Sequence, residues 1–158
     1  MEGVVVRPLD AEDCDAAADV WWRARAKAAG MPAPVHSEDE VRRWFADVLL
    51  PDGQTWVAER DDELVGVLAL DGDVLDQLYV VPEAAGQGIG SMLVDLAKVL
   101  QPDGLALWVF QSNTDALRFY SDRGFAEVRR TDGEGNEERS PDVRMVWGNH
   151  PEGLRSRA

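Results

Sequence analysis

A single cysteine, Cys14, occurs in the 158 residues. One thiol excludes an internal disulfide framework and fits a reducing compartment, so a cytoplasmic protein is expected. Basic residues are also scarce. Lys and Arg number 16 against 30 Asp and Glu, a formal net charge of -14. That balance argues against sequence-independent nucleic-acid binding, which needs clustered cations. It argues equally against docking on an anionic membrane surface. It suits a cationic substrate such as an amine, although acidity also serves solubility. No long apolar run is present. The longest candidate, Leu105 to Phe110, falls far short of the ~20 residues a membrane helix needs. Residues 1–20 lack a basic segment followed by an apolar stretch, so no signal peptide is expected. No internal repeat and no linker divides the chain, which suits one domain over residues 1–158.

What is present alternates between strand and helix signals. Val4-Val5-Val6 reads as a short strand closed by Pro8. Asp10 or Asp13 can cap a helix to about Ala29, with Ala16, Ala17, Val20, Trp21 and Ala24 on its apolar side and Gly30 at its end. Ser37 and Glu40 form a capping-box pattern ahead of a second helix through Trp44, Phe45 and Leu49, broken at Pro51-Asp52-Gly53. Thr55–Glu59 and Leu64–Leu70 read as antiparallel strands, and Asp71-Gly72 as a tight hairpin into the next strand, Asp73–Val81. Leu105 to Phe110 is hydrophobic throughout, as expected of a strand covered on both faces. Asn113 or Thr114 caps a helix through Phe119 and Tyr120 that ends at Gly124. Phe125–Thr131 and Val143–Trp147 complete the strands, and the tail from Gly148 is expected to fray. The fold class is α/β: a mixed, mostly antiparallel sheet of about seven strands, with about four helices and a central βαβ unit.

The chain is organised around Leu75 to Leu100. A strand stops at Pro82, which cannot donate to a ladder. Gly86-Gln87-Gly88-Ile89-Gly90-Ser91 follows, then Met92, Leu93, Leu96, Ala97 and Leu100 at helical spacing. The first amides of a helix lack intrahelical acceptors and carry the positive end of the dipole. Glycines admit close approach, so a phosphate or pyrophosphate is the natural occupant. A dinucleotide-binding fingerprint fails because its third glycine falls at Ser91, and a Walker loop fails because the turn holds no lysine. A tight strand-to-helix connection without ligand stands beside the phosphate reading.

Ala85 to Gly90 resembles the pattern Q/R-x-x-G-x-G/A, the acyl-CoA pyrophosphate loop of the GNAT superfamily of N-acyltransferases. It departs at the first position, where Ala85 removes one side-chain contact and leaves the backbone amides. Asn113, Ala116, Phe119, Tyr120, Gly124 and Phe125 fit the family's later helix, N-x-x-A-x-x-F/L-Y-x-x-x-G-F. The two motifs stand in the family's order, and the resemblance extends from about Val4 to Trp147.

The resemblance implies a single GNAT-like domain that moves an acetyl group from acetyl-CoA, its cosubstrate, to a primary amine, either a small molecule or a peptide. No metal is expected, and a homodimer is possible, as in many relatives. It implies that acyl-CoA lies in a V between the fourth and fifth strands. Leu78, Tyr79 and Val80 would line it, Leu78 and Val80 would pair with the pantetheine, and the Val80 amide would hold the oxyanion. Residues Ala85, Gly86, Gln87, Gly88, Ile89, Gly90 and Ser91 would cradle the pyrophosphate. Asn113, Ala116, Phe119 and Tyr120 would flank the cofactor, with Tyr120 protonating the departing sulfur. For the general base the carboxylates Asp76 and Asp73 are the candidates, with His36 and Glu40 as outsiders. The Trp21-Trp22 region, the Pro32 to Glu40 loop and the acidic stretch Glu134 to Glu138 would place the amine. The plainer roles remain open at each position: Asn113 as a cap, Phe119 and Tyr120 as packing, Cys14 as a small buried hydrophobe, the carboxylates as solvated charges. A second reading is a catalytically degenerate acyl-CoA-binding sensor or interaction module.

Overall fold

The structure, a computed structural model, describes residues 3–153. Seven strands form one sheet in the order β1-β2-β3-β4-β5-β7-β6. In chain order they are β1 (Val4–Pro8), β2 (Thr55–Arg60), β3 (Glu63–Asp71), β4 (Val74–Val80), β5 (Leu105–Phe110), β6 (Ala126–Thr131) and β7 (Asp142–Trp147). Every neighbouring pair is antiparallel except β4 and β5. Those two are joined through α4 (Ile89–Leu100), the crossover of the expected βαβ unit. The other helices are α1 (Cys14–Lys27), α2 (Glu38–Trp44), α3 (Leu50–Asp52) and α5 (Thr114–Asp122). A wide turn over Phe45–Leu49 makes α2 and α3 one continuous rod.

The two sheet faces are covered by different helices. Trp21 of α1 donates its indole N–H to Gln77 of β4, so α1 lies on the Gln77 and Tyr79 face. Gly66 of β3 stands opposite Val80 on the other face. A Cβ there would meet Leu93 and Ile89 of α4 at 3.2 and 3.3 Å, which is why α4 can lie so close to the sheet. Ile89, Leu93, Val94 and Ala97 are the buried stripe of α4, and Leu93 is fully buried. Burial of one such leucine contributes about 1.5–3 kcal/mol. On the opposite face Val20 and Phe45 fill the space beneath α1 and α2.

Local chemistry sets the boundaries. The Ser37 hydroxyl accepts from Glu40 N at 3.2 Å while the Glu40 carboxylate accepts from Ser37 N at 3.1 Å, the reciprocal cap the sequence predicts. Asp10 and Asp13 make a similar box around a single turn, Ala11–Asp13, ahead of α1. The first helix stops at Lys27, short of the expected end. Gly30 is a packing glycine in the loop beyond it, at φ 77°, where a Cβ would lie 2.0 Å from Ser112 O.

Two other expectations are corrected. Leu105–Phe110 is not covered on both faces: Trp108 is 43% exposed. Gly148 does not begin a frayed tail. His150 is 5% exposed, with Nε2 2.9 Å from Asp73 Oδ2 though not in line for a hydrogen bond, and Glu152 chelates Arg144. The rest of that expected tail, 154–158, lies outside the described residues. No helix among the described residues is long and apolar enough to cross a membrane.

Candidate active site

Strands β4 and β5 meet at one end and part at the other. Their pairing is confined to Val74 opposite Ala106, with Ala106 N donating to Asp73 O at 2.9 Å. Beyond that point β4 runs on to Val80 without a partner on this side, while β5 turns its other edge to β7 along its whole length. The direction of the free amides follows from the β3 register. Val81 N donates to Val65 O at 2.9 Å. Bonded pairs alternate along an antiparallel ladder, so Val67 and Tyr79 form the next bonded pair. The N–H groups of Leu78 and Val80 therefore point away from β3 and into the gap.

The glycine loop closes the open end. Gly86 and Gly88 have φ of 77° and 86°, left-handed values that favour glycine. Helix α4 starts from Gly88 with no side-chain cap, which leaves its first-turn amides available. Ala85 is extended and Ile89 is buried beneath the turn. Gly90 serves packing: a Cβ would lie 3.2 Å from Phe119 Cζ, so its absence lets α5 close onto α4. Arg123, which the sequence reading did not single out, stands beside this turn. Its Nε donates to Ser91 Oγ at 3.0 Å, its Nη1 donates to Phe119 O at 2.8 Å, and its guanidinium lies 3.6 Å from the Phe119 ring centroid. Arg60 donates to Gln87 on the outer edge of the loop.

Helix α5 enters beside the gap. Asn113 caps it, its Oδ1 accepting from Ala116 N at 3.2 Å, while its Nδ2 points to Met31 Sδ. Tyr120 is buried, edge-on to Phe119 at 5.2 Å and Phe125 at 5.4 Å. Among the described residues its hydroxyl makes no hydrogen bond. Burial pushes that hydroxyl well above the usual phenol range, the neighbouring Tyr79 phenol adds to the shift, and Arg123 opposes it. Tyr120 therefore keeps its proton at neutral pH. Tyr79 is raised by burial too, against the pull of Arg25.

Asp76 occupies a bulge. Ala69 pairs with Gln77 and Leu70 with Leu75, so Asp76 is the extra residue of β4 and its carboxylate is swung out of the ladder. The carboxylate reaches water but is crowded by protein. Desolvation raises its pKa, the hydrogen bond from Gln77 Nε2 at 3.3 Å opposes the shift, and the charge of Asp71 adds to it. Asp73 is at the closed end of the gap beside His150.

The three segments expected to place the amine do come together. A cavity of about 670 Å³ is lined by Trp21, His36, Glu40, Gln77, Glu137 and Glu138, among others. His36 stands at its rim as a clasp, with Nδ1 3.2 Å from Glu40 Oε2 and Nε2 3.0 Å from Glu137 Oε2. Both bonds push its pKa up. Arg25 also lines the cavity, nearly buried against the Trp21 ring at 4.8 Å. Its place one helical turn after Trp21 was the available signal for it. Cys14 is buried and its thiol is pushed up by burial, so it serves as packing.

The sequence profile of the acetyltransferase (GNAT) family matches residues 17–125. The peptidyl-lysine N-acetyltransferase YjaB of Salmonella typhimurium is 44% identical over 84 residues, which are 52% of this chain and 57% of that relative. The chain thus spans little more than half the length of that curated relative. The solution structure of apo YjaB from Escherichia coli superposes with a TM-score of 0.75 at 26% identity, covering 91% of this chain and 97% of that one. The PaiA N-acetyltransferase of Thermoplasma acidophilum, solved in complex with coenzyme A, shares the fold with a TM-score of 0.64 at 23% identity, over 92% and 98% of the two chains. The chain belongs to the acetyltransferase (GNAT) family.

Proposed function

We propose that the protein transfers the acetyl group of acetyl-CoA to the ε-amine of a lysine side chain in a peptide or protein, by direct attack in a ternary complex. The parting of β4 from β5 carries this reading. It leaves the Leu78 and Val80 amides without partners in the middle of the sheet, and a pantetheine arm supplies the missing acceptors and donors as a surrogate strand. The glycine turn at the start of α4 suits a pyrophosphate. Arg123 supplies beside it a positive charge that Ala85 cannot. The names of the YjaB relatives support lysine as the acceptor.

Each residue then has a task. Acetyl-CoA supplies an activated acyl group on a thiolate leaving group. Val80 N–H stabilises the negative charge that gathers on the acyl oxygen. Asp76, directly or through water, takes the proton that the substrate ammonium must lose before nitrogen attacks. The new C–N bond forms as C–S breaks, Tyr120 gives its proton to the departing sulfur, and the second proton that nitrogen loses as the amide forms restores Tyr120, directly or through water. The cavity at Trp21 and Gln77 receives the lysine side chain, and its carboxylates favour the cationic form on entry. A reducing cytoplasmic setting suits a chain with one buried thiol.

The test is mass spectrometry of lysine peptides with blocked N-termini after incubation with acetyl-CoA, with free thiol followed in parallel. One acetyl group on the ε-amine per CoA released is expected. CoA binding without any turnover would instead favour the sensor reading, for which Ala85 is the one observation.

A further inference from the structure

Trp108 is the large aromatic left open on the sheet. Trp108 of β5, Arg144 of β7 and Arg129 of β6 stand side by side in register on one face. The two guanidinium groups lie 5.0 and 5.2 Å from the Trp108 ring centroid. Trp108 and Arg129 border a second cavity, of about 500 Å³, that meets the first at a shared wall residue, Glu138.

The charges in this second cavity are not equivalent. Asp142 is buried and accepts from Thr131 Oγ1 and from Asn136 Nδ2 at 3.1 Å. Glu138 is held 3.6 Å from Arg25. Arg144 is committed to Glu152 through Nε and Nη2, the latter at 2.7 Å. Arg129 is exposed and, among the described residues, has neither a hydrogen bond nor an ion pair. In a chain of net charge -14, this is a cation with no hydrogen-bonded partner among the described residues, set beside an aromatic ring and sharing the field of Glu152 with Arg144. A cation–π contact at 5.2 Å tethers the guanidinium, and its N–H donors have no protein acceptor among the described residues.

We propose that the Trp108–Arg129 surface is a docking subsite for an acidic side chain of the protein substrate, flanking the acceptor lysine. The inference rests on the lysine-acetyltransferase reading above. Charge complementarity selects the occupant: one Asp or Glu matches one free guanidinium, whereas a polyanion such as RNA would also meet the surrounding carboxylates.

The experiment uses fluorescein-labelled peptides with a central lysine flanked either by glutamates or by glutamines, read by fluorescence anisotropy on the full chain. The parent protein should bind the glutamate peptide about tenfold more tightly, the size of one charge-assisted contact, with the preference shrinking as salt rises. Arg129→Glu, a surface change that leaves the core intact, should abolish or reverse the preference. Trp108→Ala should weaken it by releasing the guanidinium. Equal affinity of the parent for both peptides, or a preference unchanged in Arg129→Glu, overturns the proposal. So does an RNA oligonucleotide that displaces the peptide at lower concentration, or a dimer that Arg129→Glu dissociates with no peptide preference present. If the glutamate peptide binds through Arg129 yet its lysine is never acetylated, the docking surface stands and the lysine reading falls.

Discussion

Burial raises the pKa of the two side chains proposed to move protons, Tyr120 and Asp76. Burial keeps Tyr120 protonated, which suits a donor to sulfur. Tyr120→Phe retains the ring between Phe119 and Phe125 and removes only the proton. General acid catalysis contributes about 10²–10⁴-fold. Because a thiolate leaves fairly easily by itself, kcat should fall near the low end of that range with CoA affinity unchanged. Steady-state kinetics with calorimetry in parallel decides it: undiminished turnover makes Tyr120 a packing residue. Asp76 is shifted in the same direction, upward, by desolvation, which makes its carboxylate a better base. As pH rises through that elevated value the carboxylate loses its proton and becomes able to accept one. Activity should therefore climb along a limb displaced upward from that of an ordinary aspartate. Asp76→Asn should remove that limb and leave only the rise from the substrate amine, whose own pKa lies near 10.4. A pH–rate profile identical in parent and variant would take Asp76 out of the mechanism.

At the scale of elements, the caps and turns were legible and the close approaches were not. Ser37 with Glu40 and Asn113 before α5 announce themselves because a cap is a local bond between near neighbours in sequence. The jobs of Gly30 and Gly90 could not be read in the same way. Each makes room for a partner from a distant segment, Ser112 and Phe119, and a glycine carries no mark of which segment that is. The bulge at Asp76 breaks no compositional rule of a strand. The V between β4 and β5 was reached through resemblance alone, since diverging strands need no special residue. Gln77 and Arg123 were missed for the same reason: their partners, Trp21 and Ser91, are far away along the chain.

The His36 clasp joins two such distant segments, the loop before α2 and the loop between β6 and β7. Its pKa is raised above 6.5 by Glu40 and Glu137. A group raised on folding contributes stability that is whole below its unfolded pKa and fades as pH climbs through the folded value. Hydrogen exchange in the Glu134 to Glu138 loop should therefore be slow near pH 6 and accelerate, beyond the intrinsic base-catalysed rise, above the elevated His36 value. His36→Ala should show fast exchange at both ends. A loop whose protection factor is indifferent to pH in the parent would show that the clasp does not hold it.

For the molecule as a whole, one sheet separates two kinds of covering. On one face α4 lays an apolar stripe against the sheet and starts from the glycine turn, with α5 closed onto it where Gly90 meets Phe119. On the other, α1, α2 and the β6–β7 loop surround a cavity lined by carboxylates together with Arg25, His36 and Arg43. The sheet is continuous from β1 to β4 and from β5 to β6, and opens where those two halves diverge. The net charge of -14 suits a cationic substrate better than a polyanion. The central claim is that this opening is the acyl-CoA site, and amide exchange reads it at the atoms concerned. On addition of CoA, protection should rise at Leu78 and Val80 and across Gly86 to Ser91, while β1 and β2 stay unchanged. Gly88→Asp, which puts a side chain on a left-handed backbone and a negative charge against the pyrophosphate, should abolish the effect. CoA that binds without protecting Leu78 and Val80, or that protects them equally in Gly88→Asp, would contradict the account.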